Sequence, residues 1–373
     1  IFNHSDEKTH DEQITSGVDI ALVRLLSFLL FKESFEDERQ PEEAARSVTN
    51  EPQTARATKL SDEITCACQI TEMVYRCSKE VLESSFQRLG QDFLHVIITI
   101  LVEQLPNYNT SSNEEHTQST TSNLADMKST NLCLRSVTKI LCHFARIQSA
   151  TTSMAHNLQL LSLIVSILQH QAGIIPFEAY HNALWVLANM ACCNENMQHM
   201  ASHVRLLDSV IQAANIMHEI GDHAVETRLN DHHALRLQHS AFRCLLNLSW
   251  DQVNKTLMSV RDDLVDTIVK TVGMKTLPGS RGDTPRAYST LLLQTRLFAL
   301  GTLRNIAHTP SPQKLRLCTT QDGLLLNLLC DTGSRDADST VRDKTFAVIF
   351  NLVSAETADM LISHPRLLGA LVE

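Results

Sequence analysis

The sequence predicts an all-α fold, an α-solenoid of stacked three-helix repeats, and three observations lead to it. A nonapeptide at residues 183–191, ALWVLANMA, returns as AFRCLLNLS from Ala241, as ALGTLRNIA from Ala299 and, more loosely, as TFAVIFNLV from Thr345. Its asparagines stand at 189, 247, 305 and 351, so the spacings are 58, 58 and 46. A unit of roughly 40 to 47 residues accounts for them if two connections are lengthened. Composition agrees: aromatics are 5%, with 11 Gly and 9 Pro, while hydrophobics reach 43%, enough for each unit to bury a face on its neighbour.

Within each copy the apolar residues fall five and two positions before the asparagine and one after it. Around Asn189 they are Leu184, Leu187 and Met190; around Asn247 they are Phe242, Leu245 and Leu248. Those are helical spacings, so each copy is one amphipathic helix. A degenerate fifth copy, VTKILCHFA from Val137, puts His143 in the asparagine place, 46 residues before Asn189. The match continues downstream of the markers. Asn196 and Asn254 lie seven on; Met154, Met200 and Met258 lie eleven on. The pairs Leu160-Leu161, Leu206-Leu207 and Leu264-Val265 lie seventeen and eighteen on. Three helices per unit is the natural reading.

Asparagine is an indifferent helix former, and its place in so apolar a segment needs a reason. At about 100° per residue, Asn189 and Trp185 point roughly 160° away from the apolar centre of their helix. The asparagine is therefore expected not to serve the core. Four, seven and eleven residues before each asparagine lies a stripe of Trp185, Asn182 and Glu178, then Arg243, Ser240 and Arg236, then Gly301, Phe298 and Gln294, then Ala347, Lys344 and Thr340. With Lys139 from the fifth copy, the stripe holds Lys139, Arg236, Arg243 and Lys344 against Glu178, in a chain whose net charge is −10. An amide near a helix end can simply bond the loop that follows, but that use does not explain the charge. The stripe is expected to take an extended, acidic or phosphorylated peptide. The amides of Asn189, Asn247, Asn305 and Asn351 would bond its backbone, and Arg243 and Arg236 would meet its charges. Trp185, Lys139 and Lys344 complete the candidate peptide-binding set.

The helix at residues 183–191 resembles the third helix of an armadillo repeat, and Trp185 with Asn189 matches the Trp-x-x-x-Asn pair of importin-α-like members. Residues 241–257, AFRCLLNLSWDQVNKTL, are similar to repeats of the adenomatous polyposis coli and β-catenin type. The resemblance extends over residues 132–373. It implies a right-handed superhelix whose third helices line a concave groove, where the asparagines hold the backbone of an extended peptide. The tryptophan is confined to one copy, since Lys139, Arg243, Gly301 and Ala347 occupy the equivalent places. The tryptophan ladder that importin-α uses for basic nuclear signals is thus missing. The expected function is a non-catalytic scaffold for protein partners. The alternative is a nuclear-transport adaptor of importin-α type, which Trp185 and Asn189 favour and which the basic stripe opposes, since it would repel lysine-rich signals.

In chain order, residues 1–62 read as an N-terminal helix, over 18–31, and a charged linker. Residues 63–373 read as the repeat domain: a divergent repeat at 63–105, a disordered insertion rich in Ser, Thr and Asn at 106–130, and clearer repeats over 131–373. Further insertions are expected at 219–233, 273–289 and 331–339. Beginning at Ile1 and ending at Glu373 within an apolar helix, the chain reads as a fragment. Cys142, Cys244 and Cys318 read as buried free thiols, which suits a reducing compartment, cytoplasm or nucleus.

Several function classes find no support. The negative net charge argues against a nucleic-acid binder, which needs clustered cations to meet phosphates. No span of about 20 apolar residues exists; residues 158–177 come nearest, but Gln159, Ser162, Ser166 and Gln169 run along one face. His218-Glu219 begins like a zincin helix, yet the next histidine is His223, about 140° round rather than on the same face. His199 and His203 have metal-ligand spacing near Cys192-Cys193, without a second pair to complete a four-ligand set. With no phosphate loop or nucleophile elbow, no catalytic residue, metal, cofactor or small-molecule substrate is expected.

Overall fold

The computed structural model describes residues 122–170, 175–222, 231–274, 286–367 and 369, with scattered positions between 83 and 105. The N-terminal helix and linker expected over 1–62 lie outside the described residues, as does most of the stretch at 63–105. Every element among the described residues is helical. The chain divides into two compact units, Ile1–Val186 and Leu187–Glu373.

In the first unit α1 (Ser122–Phe144) is followed by α2 (Gln148–His156), α3 (Leu158–Gln169) and the greater part of α4 (Phe177–Met190). Asn157 starts α3 by accepting the Leu160 N–H at 3.0 Å, which satisfies one of the donors a helix start leaves orphaned. Leu160, Leu161, Ile164, Val165, Ile167 and Leu168 are buried, while Gln159, Ser162 and Gln169 face water, as the spacing predicts. Tyr180 of α4 donates its hydroxyl to Leu168 O at 3.0 Å, tying α4 to α3. On its other side α4 meets α1 through the Asn182 amide on Thr138 Oγ1, 3.3 Å, and the Cys142 thiol on Asn182 O, 3.2 Å. Cys142 is thereby only half-buried, unlike the fully buried Cys244 and Cys318. Among the described residues no single helix is long and apolar enough to cross a membrane; α2 and α3 would have to act together, and they are bent 84° apart.

The second unit repeats one order. A short α5 (Asn194–Ser202) leads to α6 (Leu206–Asp222) and α7 (Asp231–Leu248); α8 (Gln252–Ser259) leads to α9 (Asp262–Gly273) and α10 (Arg286–Ile306). Then α11 (Ser311–Thr319), a 3-10 turn and α12 (Leu324–Arg335) precede α13 (Ser339–Leu352) and the short α14 (Ala358–Ser363). Each nonapeptide ends a third helix one residue past its asparagine, at Met190, Leu248, Ile306 and Leu352. The third helices α7, α10 and α13 pack in series, each on the next, with α6, α9 and α12 behind them. That stack is an α-solenoid.

The downstream matches now have physical reasons. Met200 and Met258 are fully buried. Asn196, buried, donates its amide to Met190 O at 3.0 Å, and Asn254, buried, donates to Leu248 O at 3.0 Å and to Met197 O at 2.9 Å. Both satisfy carbonyls that the end of a third helix leaves without an intrahelical donor. Asp251 and Asp338 cap the starts of α8 and α13. Arg261 reaches back to Asp208 at 2.6 Å and Arg316 to Asp262 at 2.9 Å; such surface pairs are each worth at most about 1 kcal/mol.

The insertions are shorter than expected. Residues 122–130 already belong to α1; residues 106–121 lie outside the described ones. Helix α6 runs to Asp222 and α7 begins at Asp231, while α10 begins at Arg286 with Leu292 already buried. The insertion expected at 331–339 shrinks to residues 336–338, since Thr332 and Gly333 are buried, Gly333 against the Phe346 ring.

Candidate functional site

The end of α4 and the neighbouring α7 bring three of the expected site residues together. Arg243 donates from its guanidinium to Asn189 Oδ1 at 3.1 Å. One turn further along α7, Asn247 donates its amide to Ala188 O at 2.8 Å and to Cys192 Sγ at 3.1 Å. Those two acceptors fix the amide plane of the half-buried Asn247, so Oδ1 points the opposite way. The donor side of the asparagine is thus held by the preceding repeat, not by the loop that follows it. Arg236 stands half-buried two turns earlier on α7.

The next rows treat the same residue differently. Asn351 of α13 repeats the Asn247 arrangement, its amide on Arg304 O at 2.9 Å. Asn305 of α10 does not: it is buried, 5% exposed, with its amide on Ser249 Oγ at 2.9 Å. The expectation that these asparagines stay out of the interior fails at this row, and Gly301 gives the reason. A Cβ there would stand 3.0 Å from Leu246 Cδ1, so the absence of a side chain lets α10 close against α7 where Arg243 or Ala347 stands in the other copies. Lys344 and Ala347 of α13 are half-buried, and Gln294 of α10 is exposed.

Two expected residues belong to the first unit. Trp185 on α4 is half-buried and donates its indole N–H to His181 Nε2 at 3.2 Å; the Phe177 ring lies 5.6 Å from that histidine. Lys139 on α1 is half-buried near His143, whose titration is pushed below its usual value by burial and by Arg146 and Lys139. Arg135 pairs with Glu178 at 3.5 Å.

Sequence reasoning passed over His239, which sits on α7 between the two arginines. Its Nδ1 lies 3.4 Å from Thr295 Oγ1 and its ring 4.9 Å from Phe298, both on α10. Burial, reinforced by the Arg243 charge, lowers its pKa to about 4. The histidine is therefore neutral at physiological pH. Its position four residues before Arg243 was readable, but its burial against Phe298 was not. Among the described residues no three His, Cys, Asp or Glu side chains come together as a metal site would need.

No protein-family model matches the chain, and no curated protein matches it. Among solved structures it is similar to a computationally designed armadillo repeat protein for modular peptide recognition, at 13% identity and a TM-score of 0.47 over 79% of this chain and 97% of that one. It is similar also to a designed armadillo repeat protein in complex with the peptide (KR)4, at 15% identity and a TM-score of 0.42 over 76% and 98% of the two chains. A third, an engineered protein, covers 82% of this chain and 92% of its own at 13% identity and a TM-score of 0.48.

Proposed function

We propose that this protein is a non-catalytic scaffold and that the face of α7, with the end of α4, holds extended segments of protein partners that are acidic or phosphorylated. The observation behind this reading is the pinned pair at the α4–α7 junction. Asn247 Oδ1 is an acceptor held in one orientation by Ala188 O, suited to a backbone N–H of an extended chain. One turn away Arg243 is held by Asn189 Oδ1, a charge suited to carboxylate or phosphate. Groups oriented before binding lose less freedom when the ligand arrives. Asn351 and Lys344 extend the set along α13, and free thiols suit a cytoplasmic or nuclear setting.

The test is binding of extended acidic, phosphorylated and lysine-rich peptides to the full chain and to an Arg236→Glu, Arg243→Glu variant. Acidic or phosphorylated peptides should bind the parent, with affinity falling as salt rises. The variant should bind them at least about tenfold more weakly, roughly 1.4 kcal/mol, and with a flatter salt dependence. Equal binding by both proteins rejects the site, and preference for the lysine-rich peptide favours the transport-adaptor alternative.

A further inference from the structure

We infer that Ser311, in the first turn of α11, is a phosphorylation site for a proline-directed protein kinase that reads a lysine three residues on, and that Lys314 then pairs with the phosphate. The inference does not rest on the peptide reading above.

Three Ser or Thr residues in the chain are followed directly by proline: Thr284, Thr309 and Ser311. Proline after the acceptor favours an extended backbone there, the form in which a kinase cleft takes its substrate, and a cation further on gives the cleft a charge to bind. Ser311-Pro312-Gln313-Lys314 has both features. Three residues after Thr309 stands Pro312, and three after Thr284 stands Ala287. Exposure separates the neighbours as well: Thr309 is 7% exposed, while Ser311 is half-buried and Pro312 exposed. Thr284 lies outside the described residues.

The segment has to open to enter a kinase, and its packing favours opening. Helix α11 is anchored through Leu317 and Cys318 near its end; from Ser311 to Arg316 no residue is fully buried. Its start has no side-chain cap, and Ser311 is helical against the preference of a residue before proline. Two oxygens flanking the serine, Thr309 Oγ1 and Gln313 Oε1, are buried without a hydrogen bond. A buried polar group without a partner has given up its bonds to water, and release of residues 309–314 restores them. Opening therefore costs less here than where polar groups are paired.

In the transfer, Ser311 Oγ forms a bond to the γ-phosphorus of ATP and the bond from that phosphorus to the bridging oxygen breaks. ADP leaves, and the hydroxyl proton passes to the catalytic carboxylate of the kinase. Once the segment closes again, the phosphate stands three residues before Lys314, its neighbour on one face of α11. In the unmodified chain Lys314 Nζ donates to Val353 O at 3.1 Å, just past the end of α13. A phosphate with close to two negative charges is the stronger acceptor. Lys314 then exchanges the carbonyl for the phosphate, and the tie between α11 and the end of α13 is released.

The full chain is incubated with MgATP and a cyclin-dependent kinase, whose cleft takes Ser-Pro with a basic residue three places on. Mass spectrometry should place a phosphate on Ser311 and none on Thr309; Ser311→Ala should abolish it, and Lys314→Gln should slow it at least about tenfold. Thr309→Val removes one unpaired buried oxygen and should slow modification of the full chain at least about fivefold, while a peptide of residues 305–318 with the same change reacts as fast as its parent. Phosphorus NMR of the modified chain should show the phosphate titrating below its usual value of about 6, and Lys314→Gln should bring it back up. Phosphate on Thr309 in place of Ser311 overturns the inference. So does a peptide that the kinase ignores, or one that it modifies while the folded chain stays unmodified. A phosphate that titrates alike with and without Lys314 overturns the pairing.

Discussion

The α7 row and the α10 row are spelled alike and packed differently. On α7 Arg236, Arg243 and Asn247 are each half-buried on one side of the helix. On α10 the asparagine is closed over at 5% exposure, the stripe carries no cation, and a buried arginine stands at another position, nine before the asparagine, where α7 has the buried Gln238. Arg296, 8% exposed, donates to Val272 O at 3.0 Å and pairs with Asp336. Burial works against ionising Asp336, yet its hydrogen bonds to Arg296 and to the Asp338 N–H keep its carboxyl below the usual range. The residue four before the asparagine differs between the two rows: Arg243 reaches across to Asn189 at 3.1 Å, and Gly301 leaves room for Leu246.

Three experiments sharpen or break that contrast. The largest effect is expected in the closed row, where Arg296→Met leaves the half-buried Asp336 carboxylate without its partner and should cost about 3 kcal/mol in urea unfolding. Adding Asp336→Leu should recover most of it; a small loss from the single change would mean the pair is not sealed from water. The second effect belongs to the α7 row and has a definite sign. Above pH 6.5 His239 is neutral whether the chain is folded or not, and it contributes nothing to pH dependence. As pH falls from 6.5 toward 4, the unfolded chain takes the proton first. Stability therefore drops across that window, by up to about 3 kcal/mol. Chemical unfolding at several pH values should show the drop and His239→Gln should flatten it; an identical profile in the variant would remove His239 from the account. The smallest effect probes the seam. Gly301→Ala gains helix propensity of about 1 kcal/mol but meets Leu246 Cδ1 at 3.0 Å, so in the parent it should be neutral or mildly destabilising. In a Leu246→Ala background the same change should stabilise by about 1 kcal/mol, and additivity of the two changes would show that the seam is not tight.

The helices were legible because apolar residues at helical spacing must share a face, whatever lies beyond them. Where sequence reading went astray, the local spelling was ambiguous. The stretch at 331–335 looked like a loop for its Asp, Thr, Gly and Ser, but burial of Thr332 and Gly333 keeps it in α12. The site was half legible. Arg236, Arg243 and Asn247 do share one face of α7, as the angular argument required. That the Asn247 amide is tied to Ala188 O could not be read, because its partner is a backbone carbonyl and carries no side-chain signature. His239 was passed over for a related reason: a histidine among seventeen is distinguished only by what packs on it.

Periodicity fixes which side of each helix is apolar, since 3.6 residues per turn is a property of the backbone alone. The recurring nonapeptide, the three-helix unit and the positive stripe in an acidic chain all follow from the order of residues. How closely two third helices approach does not. It depends on what stands across the seam, Leu246 facing Gly301 or Arg243 reaching Asn189, and those partners lie more than fifty residues apart in the chain. Burial, protonation and the orientation of an amide are set by neighbours in space, and only the packed structure supplies them.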